Sequence, residues 1–467
     1  MDASRVIVVD IGKTLSKISL WGRAGEMLDR QVRPNAPIVE DGLRRLDVAG
    51  IGEWLSEALA RYAGENVGEI VPVGHGAGFV AIVGDSPAFA PLDYEQAPPA
   101  EILAAYRRER DPFAVTGSPA LPDGLNLGAQ LHWLESRYPA QMREAIFVPW
   151  AQYWAWFLSG VAVSEATSLG CHTDLWCPFK KGFSLLAERR GWAGRFAPVA
   201  SAGDRIGHLR AELAEKTGLS RSVAICAGLH DSNAALHAAR GFAALDERDT
   251  TVLSTGTWFI AMRPGAPVDE LAALPEGRDC LINVDVFGEA VASARFMGGR
   301  EIESLIEIDT RQVDIKPDQP KLVAAVPKLV EDGAMMLPTL APGCGPFPAA
   351  EARWEAEPAD WFARRAAACL YAALVADAML DLVGAKGALL IEGRFAEAEV
   401  FVRALASLRP ETTIYTANAH NDVSFGALRL LDPSLRPGGG LARVAPLDTD
   451  IVSYKGRWYA AMAERVA

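Results

Sequence analysis

Apolar and polar positions follow one another in short, distinct runs at the start of the chain. Arg5 to Asp10 reads as a strand whose apolar centre, Val6 to Val9, ends on a carboxylate, Ile11 to Ser16 is a turn with small and hydroxyl residues, and Lys17 to Trp21 reads as a second strand. A turn at Gly22 and Gly25 leads into a third run, so the segment predicts a β-meander that opens a sheet. Further on, Gly50 to Tyr62 and Ala100 to Arg110 carry helical periodicity, whereas Ile70 to Val73 and Phe79 to Val83 are short apolar runs of the buried-strand kind. Strands interleaved with helices predict an α/β architecture.

A second strand-turn-strand pattern, TTVLSTGTWFIAM, occupies Thr250 to Met262, and its Gly256 lies 244 residues after Gly12. Two hydroxyl-lined glycine turns half a chain apart suggest two similar lobes. Between them, Ala200 to Val223 reads as a loop and helix before a strand at Val223 to Ala227. Arg295 to Glu307 and Trp361 to Leu382 read as helices, Ala388 to Glu392 as a strand, and Thr413 to Leu431 as a last strand and helix. The RPGGG cluster at Arg436 to Gly440 marks a loop before a helical tail. The uncharged stretch from Ala145 to Ser164 has the length of a membrane span but contains Pro149, Gln152, Ser159 and Gly160. A buried helix entered after Pro149 and stopped at Gly160 is the better reading, and no membrane association is expected.

Composition narrows the function classes. Among 467 residues, 46 Lys and Arg face 59 Asp and Glu, giving a net charge of -13 with no basic cluster. Affinity for a phosphate backbone comes from clustered cations, so a nucleic-acid partner is excluded. Six scattered cysteines are too few for a disulfide framework, and the N-terminus lacks the regions of a signal peptide, so a cytoplasmic location is expected. At about 150 residues per domain the length fits three domains or two large ones.

The turn after Asp10 holds Gly12, Lys13, Thr14, Ser16 and Lys17. It is not a Walker A loop, whose first glycine would fall where Ile7 stands. It can still offer backbone N–H groups and hydroxyls to phosphate while the carboxylate holds hydrated magnesium, although an ordinary hairpin turn has the same composition. Thr255, Gly256 and Thr257 form a second, uncharged cradle. Asp231, in GLHDSNAAL, sits where a strand gives way to a helix: it is either a helix N-cap or a general base for a substrate hydroxyl, with His230 beside it able to bond a sugar hydroxyl. Cys171, His172, Asp174 and Cys177 match no zinc spacing, and His172 and Asp174 read better as polyol contacts.

These residues together resemble the FGGY family of carbohydrate kinases. The likeness runs from VVDIGKT to NDVSFGALRLL, with the D-x-G turn, the LSTGTW turn and Asp231 in matching places. The HDS sequence, Asn126 and Gln130 in NLGAQL, and VPWAQYWAWFLSG are similar to the rhamnulokinase and fuculokinase branch. The resemblance implies a two-lobed ribonuclease H-like fold of the hexokinase/actin type with a cleft between lobes. Residues 1–240 would be the sugar-binding lobe and 241–467 the nucleotide-binding lobe. It implies an ATP- and Mg2+-dependent kinase of a small ketose, or of a polyol, aldonate or xylulose/ribulose-like acceptor. A non-catalytic nucleotide-binding regulator is the rival, and a homodimer is compatible. Asp231 would be the base and Asp10 the magnesium ligand through water. His75, Gly76, Asn126, His172, Asp174, His230, Ser232 and Arg295 would touch the substrate; Gly12, Lys13, Thr14, Lys17, Thr255, Gly256, Thr257 and Gly393 would touch the nucleotide. The chain departs from the family where a glycine-rich adenosine loop reads Glu392-Gly393-Arg394 and Glu397 follows. It departs again where a Trp before Gly76 is His75, where an Asp shortly after is Gly78, and where an Arg-containing segment reads Asp93-Tyr94-Glu95-Gln96. Arg295 and Glu303 stand where rhamnulokinase has Asn and Gln.

Overall fold

The computed structural model describes residues 4–245, 249–310, 312–417 and 423–463. It divides into two units: residues 1–241 with 282–290 and 421–438, and residues 242–281 with 291–420 and 439–467.

In the first unit β1 (Arg5–Ile11), β2 (Leu15–Trp21) and β3 (Met27–Pro34) form the expected meander. Helix α1 (Val48–Ala60) begins where the Asp47 carboxylate accepts the Gly50 amide proton at 2.8 Å. Strand β4 (Val67–Gly74) lies parallel to β1. Helix α2 (Trp150–Ser159) enters after Pro149 and stops at Gly160, whose φ of 82° only glycine adopts cheaply. Beyond it come β5 (Arg205–His208), β6 (Ala224–Cys226), β7 (Leu229–His230) and α3 (Asp231–Ala239). The sheet order is β5-β6-β4-β1-β2-β3, and β7 also pairs with β4.

Both faces of β1 are covered, which explains its unbroken apolar run. Ile7, Val9 and Ile11 pack on Leu55 of α1 and Trp154 of α2, while Val6 and Val8 pack with Ala234 and Ala238 of α3. The helix Val423–Arg429 returns to this unit and packs on α3. The two helices approach so closely that a Cβ on Gly426 would overlap the Ala234 carbonyl.

The second unit repeats the plan. Strands β8 (Thr250–Thr255) and β9 (Phe259–Pro264) form a hairpin. Strand β10 (Cys280–Val284), whose residues 282–284 fall in the first unit, and β11 (Ala290–Phe296), of which all but Ala290 falls in the second, precede α4 (Gly298–Ile306) and α5 (Trp361–Leu382). Strand β12 (Ala388–Gly393) lies parallel to β8, and β13 (Thr413–Ala417) parallel to β12, with β14 (Leu441–Arg443) antiparallel at the edge. The order is β10-β11-β9-β8-β12-β13-β14. In each unit three antiparallel strands (β3-β2-β1 and β11-β9-β8) continue into two parallel ones and an antiparallel edge, and in the second sheet β10 adds a further strand beside β11.

Three expectations change. Arg295 to Glu307 is not one helix, because alternating Ala290 to Phe296 pairs with β9 and the helix starts only at Gly298. The segment read as loop and helix at Ala200 to Val223 contains β5, and a short strand, β14, precedes the C-terminal helix Ile451–Ala463. Within the last strand-helix pair, residues 418–422 lie outside the described residues. Among the described residues no helix is long and apolar enough to cross a membrane, and the six cysteines form no disulfide.

Candidate active site

Backbone register gathers the candidates of the first unit. Ile11 of β1 and His230 of β7 both pair with Gly74 of β4, and all three strands run parallel. The Gly12 turn, the His75-Gly76 loop and Asp231 therefore leave the sheet side by side at its carboxyl-terminal edge, where parallel α/β sheets place ligands.

The Gly12 turn is braced from outside. Asn35 donates its amide to the Gly12 carbonyl at 2.8 Å, its backbone N–H reaches the Thr14 carbonyl at 2.8 Å, and its side-chain oxygen accepts from Ser16 at 2.9 Å. The Trp150 indole donates to the Ile11 carbonyl at 2.9 Å. Thr14 is exposed, whereas Asp10 is buried with a carboxylate oxygen 3.1 Å from the Lys17 ammonium. Lys13 turns elsewhere: its ammonium pairs with buried Asp93, lies 3.8 Å from Glu95 and sits 4.4 Å from the centre of the Tyr94 ring. Lys13, expected to touch the nucleotide, thus has its charge neutralised by Asp93, which also binds Arg44 at 2.7 Å.

His75 is packed between Tyr94 and Trp150 at centroid distances of 5.4 and 5.3 Å. Its Nδ1 lies 2.7 Å from the Gly76 carbonyl, which only an N–H can satisfy, so Nε2 carries a lone pair. That buried Nε2 has no hydrogen-bond partner among the described residues. Desolvation lowers the imidazole to about 4, so the ring is neutral at pH 7. Gly76 is required by close packing: a Cβ there would stand 2.8 Å from Cys171 Sγ and 2.9 Å from His230 Nε2.

Asp231 opens α3 without capping it, so the N-cap reading falls. Its Oδ1 accepts from the Ser232 amide at 2.6 Å and lies 3.3 Å from the Ser232 hydroxyl and 3.2 Å from His230 Nε2. The side chain is 29% exposed, and Oδ2 has no partner among the described residues. His230 is engaged at both ring nitrogens, at Asn233 and at Cys171 and Asp231, instead of leaving one open as expected.

Three other expected sugar contacts are held by protein groups, Asn126 and Asp174 buried and His172 partly buried. The Asn126 amide donates to Ser118, Pro119 and His172, and its oxygen accepts from Leu121. The Asp174 carboxylate is buried against the Tyr106 hydroxyl and Arg110. His172 donates from Nδ1 to the Leu125 carbonyl at 2.8 Å. Asn126 and Asp174 thus hold their loops together, which sequence alone cannot distinguish from facing a ligand. Arg295 belongs to the second unit, where Asp279 accepts from it at 2.9 Å and its guanidinium covers the Trp258 ring.

In the second unit, register sets Thr255 beside Gly393. The Thr255 hydroxyl donates to the Glu392 carbonyl and accepts from the Phe395 amide, so it ties the two turns together while Thr257 stays exposed. The Gly256 amide closes its turn on the Trp258 carbonyl. Desolvation pushes the Glu392 carboxyl up to about 8 against a Ser254 hydrogen bond, which favours its neutral form in this loop at pH 7. Arg394 pairs with Glu303 at 3.1 Å. Asn35, Asp93 and Asn233 were missed in the sequence; a lone polar side chain carries no pattern that reveals whether it braces a turn.

Two parallel-edged α/β units, each with a hydroxyl-lined glycine turn at the end of its first strand, define a two-domain ATPase-type phosphotransferase fold. A family model described as carbohydrate kinase FGGY, C-terminal domain, matches residues 247–437. A carbohydrate kinase from Novosphingobium aromaticivorans of known structure is 61% identical over all of both chains, with a TM-score of 0.96. The chain belongs to the FGGY carbohydrate kinases, which phosphorylate an alcohol group from ATP. More distant structures show the same fold: a ligand-bound xylulose kinase from Lactobacillus acidophilus (13% identity, 99% of each chain, TM-score 0.80) and Plasmodium falciparum glycerol kinase with ADP (10% identity, 100% of this chain and 99% of that one, TM-score 0.81). No curated protein matches the sequence.

Proposed function

We propose that this kinase transfers the γ-phosphoryl group of ATP to a hydroxyl of a small neutral ketose of the rhamnulose or fuculose kind. The observation that carries the reading is the common strand edge of Asp10, His75 and Asp231. Asp231 accepts the hydroxyl proton as the new O–P bond forms and the bond from the γ-phosphorus to the ADP oxygen breaks. Gly76 and Ser232 line the acceptor side, and the His75 lone pair accepts a hydrogen bond from a second hydroxyl.

The neutral imidazole also argues against an aldonate. A carboxylate acceptor needs a donor or cation there, and the cations nearby, Lys13 and Arg44, are both already paired with Asp93, with Asp231 and Glu95 adding further negative charge. The printed titles of distant neighbours name xylulose, gluconate and glycerol kinases, so ketoses, polyols and aldonates are the arms of the test.

The nucleotide falls to the Gly12, Thr14 and Lys17 turn and the backbone of Lys13, together with Thr255, Gly256, Thr257 and Gly393. Gly256 has open space where a side chain would be, and Thr257 is exposed, as a phosphate cradle requires. Magnesium, which screens phosphate charge when bound, keeps most of its waters and needs only one or two carboxylates besides phosphate. Asp10, a carboxylate at the end of its strand, would supply one, leaving the other positions to water and phosphate.

The test is ADP release across a panel of ketoses, polyols and aldonates, with calorimetric sugar binding to Asp231→Asn. A ketose should stimulate release, and the variant should bind it without turnover. Stimulation by aldonates alone, or full activity in Asp231→Asn, sinks the reading.

A further inference from the structure

The segment Asp93-Tyr94-Glu95-Gln96 is a tight turn with a heavily fixed backbone. The Gln96 amide closes it on the Asp93 carbonyl at 2.9 Å, and the Asp93 carboxylate accepts from the Glu95 amide at 2.9 Å. Arg44 holds both ends, its guanidinium donating to Asp93 at 2.7 Å and its backbone N–H to the Gln96 side chain at 2.7 Å. The Tyr94 carbonyl accepts from the Gly124 amide at 2.9 Å.

The same network ties the turn to the candidate site. Gln130, 1% exposed on the helix Leu127–Arg137, donates its amide to the Gly124 carbonyl at 2.6 Å and to the Ala77 carbonyl at 2.7 Å. It thereby links the loop of His75 and Gly76 to the residue that holds Tyr94. From the other side, Lys13 of the Gly12 turn pairs with Asp93 and lies over the Tyr94 ring, 4.4 Å from its centre. The same ring meets His75 edge to face at 5.4 Å. Tyr94 thus stands against two of the three loops that leave the sheet edge, and the charge of Asp231, on the third, acts on both the phenol and His75.

The polar end of this side chain is unused. Tyr94 is half-buried and held by ring contacts, while its hydroxyl has no hydrogen-bond partner among the described residues. Burial, followed by the charges of Glu95 and Asp231, raises the phenol far above its ordinary range, so at neutral pH it keeps its proton and can donate. A fixed backbone and ring with an open hydroxyl is the arrangement of a recognition group organised before its ligand arrives.

We propose that Tyr94 is a specificity-determining residue of the acceptor site, whose hydroxyl donates a hydrogen bond to an oxygen of the bound sugar. The inference rests on reading this sheet edge as the acceptor side. His75 offers a lone pair and Tyr94 a proton, so the two fit a hydroxyl beside an oxygen that accepts, as the hydroxyl and carbonyl groups of an open-chain ketose stand. A site that places a donor on a substrate oxygen rejects the analogue that lacks it.

Calorimetric binding of L-rhamnulose, L-fuculose and D-xylulose to the intact enzyme tests it. Tyr94→Phe keeps the ring against His75 and under Lys13, so its Tm should stay near wild type while the tightest-binding ketose loses about 3- to 10-fold in affinity, the worth of one neutral hydrogen bond. The KM for ATP should stay within about twofold of wild type. Among singly deoxygenated analogues of that ketose, one should bind wild type and Tyr94→Phe equally, because the oxygen that met the hydroxyl is gone. Unchanged ketose affinity in Tyr94→Phe overturns the proposal, and so does an equal loss for every deoxygenated analogue, which makes the effect indirect. A raised KM for ATP with unchanged ketose binding gives the hydroxyl to the nucleotide and overturns it as well. Asp231→Asn keeps the two levels apart: if it is inactive while Tyr94→Phe binds ketose like wild type, only the role of Tyr94 falls. A fully active Asp231→Asn removes the base assignment and leaves the binding result standing, whereas failure of all three ketoses to bind wild type removes both.

Discussion

Gly256 and Gly393 stand at neighbouring strand ends in the second unit, yet a methyl group at each meets different surroundings. At Gly393 φ is +84° and a Cβ would lie 2.4 Å from the Thr255 backbone carbonyl, which cannot swing away. Gly393→Ala should therefore cost at least about 1–3 kcal/mol, read as a lowered Tm. At Gly256 the nearest atom is 3.8 Å away and φ is not positive, so Gly256→Ala should change stability by less than about 0.5 kcal/mol while raising the KM for ATP through loss of close phosphate approach. Equal Tm values for the two variants would contradict the packing argument, and an unchanged ATP KM in Gly256→Ala would remove that turn from the nucleotide. At this scale, sequence revealed what depends on residue type and strand position. Asp10 and Asp231 stand out because a carboxylate ending an apolar run is chemically unusual. Side-chain direction is not written in the pattern, so Asn126 and Asp174 looked as available as Ser232, and the Asp93 partner of Lys13 lies 80 residues away.

Helix α3 joins the site to the core, carrying Asp231 at its start and His237 two turns later. His237 is buried, its ring 5.9 Å from Phe287, and its backbone carbonyl accepts from Arg429 of the returning helix. Desolvation, helped by the Arg429 charge, lowers its pKa to about 4 from an ordinary 6.5. The unfolded chain thus binds the proton first as pH falls. Stability from this group is complete above pH 6.5 and is lost between pH 6.5 and 4, by up to about 1.4 kcal/mol per pH unit. His75 titrates over the same window, so His237→Gln should flatten part of the acid slope of Tm and leave the values above pH 7 parallel to wild type. An unchanged slope would place the acid sensitivity elsewhere. Elements of this kind were legible where periodicity or punctuation was strong: α2 between Pro149 and Gly160, or the β1–β2 hairpin. They were lost where strands are short or share residues with a helix, since Ala290 to Phe296 alternates only weakly and β14 spans three residues.

On the scale of the whole chain, the net charge of -13 coexists with glycine turns that draw little on side-chain cations, since Lys13 and Lys17 are each paired with an aspartate. Two similar units were readable from the spacing of the two turns, but not that the chain returns to the first unit near its end. The helix Val423–Arg429 belongs to the first unit and covers an apolar surface made by Val8, Val71, Val73 and α3. Phe425 lies 6.1 Å from the Trp21 ring, and Ser424 shares a hydrogen bond of 3.2 Å with Ser19 on β2. Sequence hides this because pairing across 405 residues leaves no local signal. A chain ending at residue 241 would therefore expose one face of its central strands, at a cost of about 25 cal/mol for each square ångström of apolar surface returned to water. Expressed alone, residues 1–241 should bind a hydrophobic dye and melt without a cooperative transition. Joining residues 423–438 to that fragment through a flexible linker should restore cooperativity, because the lost contacts are local to that helix and the strands it packs on. If residues 1–241 melt cooperatively without dye binding, the returning helix is dispensable, and the close crossing of Gly426 over Ala234 is incidental to the fold.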